Sequence, residues 1–237
     1  MKYIYYNSIR LTTRNDINQM KKYIGEFIGT FVLVFCGTGA ILVNQYADGS
    51  LGLLGIAATF GISVTAMIYV FGAISGAHIN PAVTISLAIG KLMPKNNVFG
   101  YIIAQLSGAI LASTILTVLF PENESLGGTV PSGNVLQSFT IELVLTLFLM
   151  LTILGVTAKK EFSNVAGIVI GSIVTGIILF AGPISGGSFN PARSIAPAII
   201  SGNLTALWVY IIAPILGGII ATLIWKLLIR DTVEEVQ

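Results

Sequence analysis

Six stretches of this chain, at about 23–43, 53–71, 98–120, 135–156, 165–181 and 207–228, stay apolar for long enough to cross a membrane. A helix rises 1.5 Å per residue, so about 20 apolar residues span a hydrocarbon core roughly 30 Å thick. Only 9% of the 237 residues are charged and 54% are hydrophobic. A water-soluble domain carries about a quarter of its residues as charges. The chain lacks the polar surface to stay dispersed in water, so lipid is its solvent. Within lipid each backbone N–H and C=O needs an internal partner, and an α-helix supplies those partners within one segment. The expected fold class is therefore an all-α, multi-pass integral membrane protein.

Two further apolar stretches, 81–90 and 191–200, are too short to cross. Each makes roughly 15 Å of helix, about half the bilayer. Each follows a Gly/Ser-rich break, at 72–78 and 182–189. Irregular backbone at membrane depth persists only where it lines a wet cavity or lies buried in protein. Six spanning helices plus two re-entrant half-helices follow.

Charge sets the orientation. Lys2, Arg10, Arg14, Lys21, Lys22, Lys91, Lys95, Lys159, Lys160, Lys226 and Arg230 fall on one side of the six spans, which is every basic residue of the twelve except Arg193. Basic loops stay in the cytoplasm, so both termini are expected there, with Asp48, Glu122 and Glu124 outside. Residues 1–21 are polar, lack the apolar core of a secretory signal, and read as a flexible cytoplasmic tail; 230–237 reads as a second one. Arg193 lies inside the second half-span. A lone arginine at that depth is costly and marks function.

The chain repeats itself. Ser75-Gly76-Ala77-His78-Ile79-Asn80-Pro81-Ala82 returns as Ser185-Gly186-Gly187-Ser188-Phe189-Asn190-Pro191-Ala192, an offset of 110 (190 − 80). Gly25-Glu26-Phe27 in the first span is echoed by Ile141-Glu142-Leu143 in the fourth. The halves, about 22–120 and 134–229, each hold three spans. An odd number inverts the second half relative to the first, and inverted repeats with broken helices place their site near the midplane. Asparagine is a favoured N-cap, and proline suits the first helical position, where its missing N–H has no task. Each half-helix thus begins at the midplane with about half a positive charge at its N-terminus. Two such ends repel cations. The amides of Asn80 and Asn190 can each donate to one passing water, whose hydrogens then point outward and interrupt a proton-conducting chain.

Paired Asn-Pro-Ala motifs, each after a Ser-Gly break, with Arg193-Ser194 following the second, resemble the aquaporin (major intrinsic protein) family. The resemblance covers about 22–229 and implies a pore formed by Asn80, Pro81, Ala82, Asn190, Pro191 and Ala192. Family comparison puts the narrowest constriction at Phe60, Ile178, Gly187 and Arg193. Water-selective members carry histidine where this chain has Ile178, and a small or thiol-bearing residue at Gly187. The only histidine is His78, so no rearrangement supplies the missing one. A wider, more apolar opening is expected, similar to broad-selectivity archaeal and nodulin-like members: a channel for water and glycerol-sized neutral solutes that excludes protons and ions. Ser194 departs from glycerol facilitators, which carry aspartate there, so a strictly water-selective channel stays open as an alternative. Urea, ammonia, metalloids, hydrogen peroxide and carbon dioxide are compatible and unranked. The resemblance also implies a homotetramer in the cell membrane. No cofactor, no metal and no nucleic-acid partner are expected; water, small solutes and the bilayer are the partners.

Several residues carry competing readings. Glu26 and Glu142, the only acids inside spans, are proton carriers in a secondary transporter and loop anchors under the resemblance; their matched placement favours anchors. His78 either senses pH or braces the loop as a neutral ring. Gly25/Gly29, Gly108/Ala112 and Gly217/Gly218 permit close helix approach, within the bundle or across a dimer face. Cys36 reads as packing. An intramembrane serine protease is disfavoured, because Ala73 stands where the first glycine of the Gly-x-Ser-Gly pattern belongs before Ser75.

Overall fold

The computed structural model describes the backbone of residues 2–234 and the side chains of residues 16–229. Its order is α1 (Lys2–Tyr46), α2 (Gly52–Ser75), α3 (Pro81–Ile89), α4 (Val98–Leu119), α5 (Val135–Ala158), α6 (Ala166–Ser185), α7 (Pro191–Ser201) and α8 (Val209–Glu234). Short 3-10 turns, Lys95–Asn97 and Lys160–Val165, lead into α4 and α6. Six of these helices are long and apolar enough to cross a membrane, and α3 and α7 are the two half-length ones.

Two boundaries differ from the sequence expectation. The second and fifth spans do not stop at 71 and 181: α2 and α6 continue to Ser75 and Ser185, the latter through Pro183. The helices persist until Gly76 and Gly186 turn left-handed at φ 89° and 83°, each donating its N–H back to Gly72 and Gly182. The irregular backbone is thus only about five residues long in each half. At the other end, the flexible tail expected over 1–21 is helical from Lys2 and continuous with the first span, and α8 likewise runs on to Glu234. The rest of the C-terminal tail lies outside the described residues.

The packing repeats as the sequence does. α1 lies against α4 as α5 lies against α8, and α2 crosses α6 between the halves. Backbones touch where side chains are missing. A methyl group on Gly108 would stand 2.1 Å from the Phe27 carbonyl oxygen, and one on Gly217 2.2 Å from that of Leu143. At the α2–α6 crossing, Gly61 and Gly171 face each other's helices closely enough that a methyl on either would overlap Thr175 or Thr65. Gly25 and Gly29 admit Phe71, Ser75 and Ile79, and Gly218 admits Ser86. The small residues picked out in the sequence are therefore used inside the bundle. Ile62, Phe99, Val118, Leu136 and Leu227 point outward with more than half their surface free, an apolar belt that suits lipid and not water. Cys36 is half-buried in α1.

Candidate pore

The broken loops need partners for their backbone, and each half finds them in one buried carboxylate. Glu26 accepts from the N–H of His78 (2.9 Å) and Ile79 (2.7 Å), from Ser75 Oγ (2.7 Å) and from Gln105 Nε2 (2.7 Å). Glu142 accepts from the N–H of Ser188 (2.9 Å) and Phe189 (2.7 Å) and from Ser185 Oγ (2.7 Å). Tyr101 and Tyr210 close the other end, each hydroxyl donating to the carbonyl of Ser75 or Ser185 at 2.7 Å. An unpaired buried N–H costs about 1–3 kcal/mol, so these contacts let non-helical backbone exist at this depth. Both carboxylates are fully buried, and neither is among the residues lining the central cavity. That geometry fits anchors.

The loops deliver α3 and α7 tip to tip. Asn80 and Asn190 have extended backbones and cap their own helices, their Oδ1 accepting from the N–H of Ala82 (2.8 Å) and Ala192 (3.0 Å). Pro81 and Pro191 occupy the first helical positions. Each asparagine then reaches across: Asn80 Nδ2 donates to the Phe189 carbonyl and Asn190 Nδ2 to the Ile79 carbonyl, both at 2.8 Å. An amide nitrogen carries two hydrogens. One ties the halves together, and the second remains for the cavity that both asparagines line. Pro81, Ala82, Pro191 and Ala192 are buried behind that wall.

The cavity, about 520 Å³, runs from Tyr69, His78 and Ser163 at one end, past Asn80 and Asn190, to Phe60, Ile178 and Arg193. The structure thus brings Phe60, Ile178 and Arg193 together, although they come from α2, α6 and α7. Gly187 adjoins them: a methyl there would lie 3.6 Å from Ile178 Cγ1, on backbone at φ 61° that disfavours any side chain. The Arg193 guanidinium carbon sits 5.1 Å from the Phe60 ring centroid, within cation–π range. Its Nη1 donates to the Gly127 carbonyl at 2.7 Å. Its Nε and Nη2 have no hydrogen-bond partner among the described residues, although the residue is 1% exposed.

His78 lines the cavity near Tyr101, with ring centroids 5.0 Å apart, and its Nδ1 lies 3.1 Å from Thr84 Oγ1. Its backbone is the part held by Glu26. At the matching place in the second half, Ser188 Oγ meets Ser194 Oγ, which also pairs with Thr129 Oγ1 at 2.6 Å. Ser194, the residue that departs from the glycerol-facilitator pattern, is occupied in this hydroxyl cluster.

Sequence reasoning missed Tyr101, Tyr210, Gln105 and Gly127. The tyrosines had a signal: they stand 109 apart (210 − 101), almost the period of the motif. Gly127 had none, because the loop between the halves has no counterpart in the repeat.

Residues 13–225 match the family model described as Major intrinsic protein. The chain belongs to the major intrinsic protein family. It is a multi-pass membrane channel and not an enzyme. Among curated relatives of the family it is similar to aquaporin NIP1-1 of Zea mays, 41% identical over 202 residues that cover 84% of this chain and 72% of the relative. It is 46% identical over 215 residues to a probable aquaporin NIP-type of Nicotiana alata, covering 90% and 79%. With nodulin-26 of Glycine max it shares 40% over 210 residues, 88% and 78%. Among solved structures, the aquaglyceroporin from Plasmodium falciparum superposes with a TM-score of 0.82 at 27% identity, over 91% of this chain and 99% of that one.

Proposed function

We propose that this major intrinsic protein is a passive channel for water and glycerol-sized neutral solutes, with Phe60, Ile178, Gly187 and Arg193 as its selectivity filter. The observation that carries the reading is the two-faced constriction. Phe60 and Ile178 form an apolar wall, which suits a carbon backbone. Arg193, its guanidinium carbon 5.1 Å from the Phe60 ring centroid, offers Nε and Nη2, two donors with no hydrogen-bond partner among the described residues, which suit hydroxyls. A polar solute entering a narrow pore loses its water and crosses only where such groups replace it. The likeness to the solved aquaglyceroporin supports passage of glycerol as well as water.

Water and solute pass the Asn80–Asn190 pair next. The free amide hydrogens there orient a water by its oxygen, and the paired helix N-termini disfavour cations. His78 and Thr84 brace the loop on the opposite side of that pair. The basic residues on one side of the bundle support cytoplasmic termini, with Arg193 toward the exterior. The assembly is a homotetramer in the plasma membrane, each subunit with its own pore.

Stopped-flow light scattering on proteoliposomes tests the reading. Osmotic water flux and glycerol flux are both expected to rise well above empty liposomes, with low activation energies. Water flux alone would leave a channel that is strictly water-selective and refute the breadth assigned to Ile178 and Gly187. Uptake that depends on a proton or sodium gradient would refute the channel.

A further inference from the structure

The filter position Phe60 owes its place to a residue outside the filter. Its ring edge lies against Gly37 of α1, so close that a methyl group on Gly37 would stand 2.1 Å from Cε1, 2.4 Å from Cδ1 and 2.5 Å from Cζ. No side chain fits between. The Arg193 guanidinium carbon lies over the same ring, 5.1 Å from its centroid. Phe60 is 4% exposed, with bare α1 backbone at its edge and the charge over its ring.

The same turn of α1 also backs the arginine. Gly127, whose carbonyl holds Arg193 Nη1, packs onto the residue after Gly37: a methyl on Gly127 would lie 3.0 Å from both Cβ and the carbonyl oxygen of Thr38. Thr38 is fully buried, its hydroxyl donating to the Val34 carbonyl at 2.6 Å. Next along the turn, Gly39 faces Leu116 of α4, where a methyl would be 3.4 Å away. This turn of α1 is thus packed against the Gly127 loop and Leu116 of α4. A side chain at position 37 therefore meets the Phe60 ring, which lines the cavity.

We infer that Gly37 is a specificity-determining position of the channel: by omitting a side chain it seats the Phe60 ring against α1 and sets the width of the constriction. The inference rests on the filter proposed above. It predicts that the smallest addition, Gly37→Ala, narrows the pore against the larger solute first. A cost of the usual overpacking size, if it falls on the passage of glycerol, slows that passage about tenfold.

Gly37→Ala and Phe60→Ala are compared singly and together in proteoliposomes, with fluxes normalised to folded, incorporated protein. Gly37→Ala is expected to lower the glycerol-to-water flux ratio about tenfold. With the ring removed by Phe60→Ala, the same substitution should change that ratio by less than about twofold, the signature of two residues acting through one contact. An equal effect of Gly37→Ala in both backgrounds, or none in either, overturns the inference. If Gly37→Ala does not fold, recovery of folding by Phe60→Ala supports the contact, and failure of the double variant overturns it. If the unmodified channel passes no glycerol, the solute proposal fails on its own, and the same pair of comparisons on water flux decides the role of Gly37.

Discussion

Removing the acceptor from one re-entrant loop should unfold it without touching the lumen. Glu142 takes three hydrogen bonds, from Ser185 Oγ, the Ser188 N–H and the Phe189 N–H. In Glu142→Leu the serine hydroxyl can turn toward the Ala181 carbonyl, already 3.5 Å away, but the two backbone N–H groups stay buried without an acceptor. At about 1–3 kcal/mol per orphaned donor, the loss is about 2–6 kcal/mol. Glu142→Gln keeps one oxygen for Ser185 and Ser188 and turns its amide toward the Phe189 N–H, so a single donor is orphaned at about 1–3 kcal/mol. With about 3 °C of melting temperature per kcal/mol for a domain of this size, the shifts are roughly 3–9 °C for Gln and 6–18 °C for Leu. Heating in detergent followed by fluorescence-detected size exclusion reads both. Flux per folded Glu142→Gln protein should match that of the unmodified channel. A leucine variant as stable as the parent would refute the anchoring argument. A glutamine variant that is stable but no longer conducts would put Glu142 in the transport path and revive the transporter.

Arg193→Lys should lower water and glycerol flux several-fold: one ammonium taken by the Gly127 carbonyl leaves no fork of donors for the solute, and unchanged flux in the stopped-flow assay would refute that role. Tyr101→Phe and Tyr210→Phe each leave a serine carbonyl without its hydroxyl donor, and each should cost about 0.5–1.5 kcal/mol, read as melting shifts of similar size in the two halves. Permeability should stay flat from about pH 5 to 8, because Glu26 holds the His78 backbone whatever the charge on the ring; a step in flux that disappears in His78→Ala would make the histidine a sensor.

The large features of this protein were legible because lipid makes their cause local. A segment crossing the bilayer satisfies its backbone within itself, so apolar length alone located the six spans and the two half-spans, most of their ends to within a few residues. The internal repeat did the rest, pairing Asn80 with Asn190 and Glu26 with Glu142 by spacing alone. The ends of the second and fifth helices were not legible, since the Gly/Ser-rich composition of 72–75 and 182–185 resembles loop. What extends the helices is Ser75 and Ser185 bonded to the distant glutamates and tyrosines. The N-terminal residues went the same way: polar composition reads as tail, yet α1 continues back to Lys2.

By itself, then, the sequence determined the solvent, the inverted repeat and the capped half-helices, all set by composition and spacing along one stretch of chain. The tertiary structure alone decided what surrounds Phe60 and Arg193. Gly37 meets Phe60 across 23 positions (60 − 37), and the Gly127 carbonyl meets Arg193 across 66. Such contacts depend on where separate helices and a loop finally lie, to a few tenths of an ångström, and no periodicity in the chain encodes that distance.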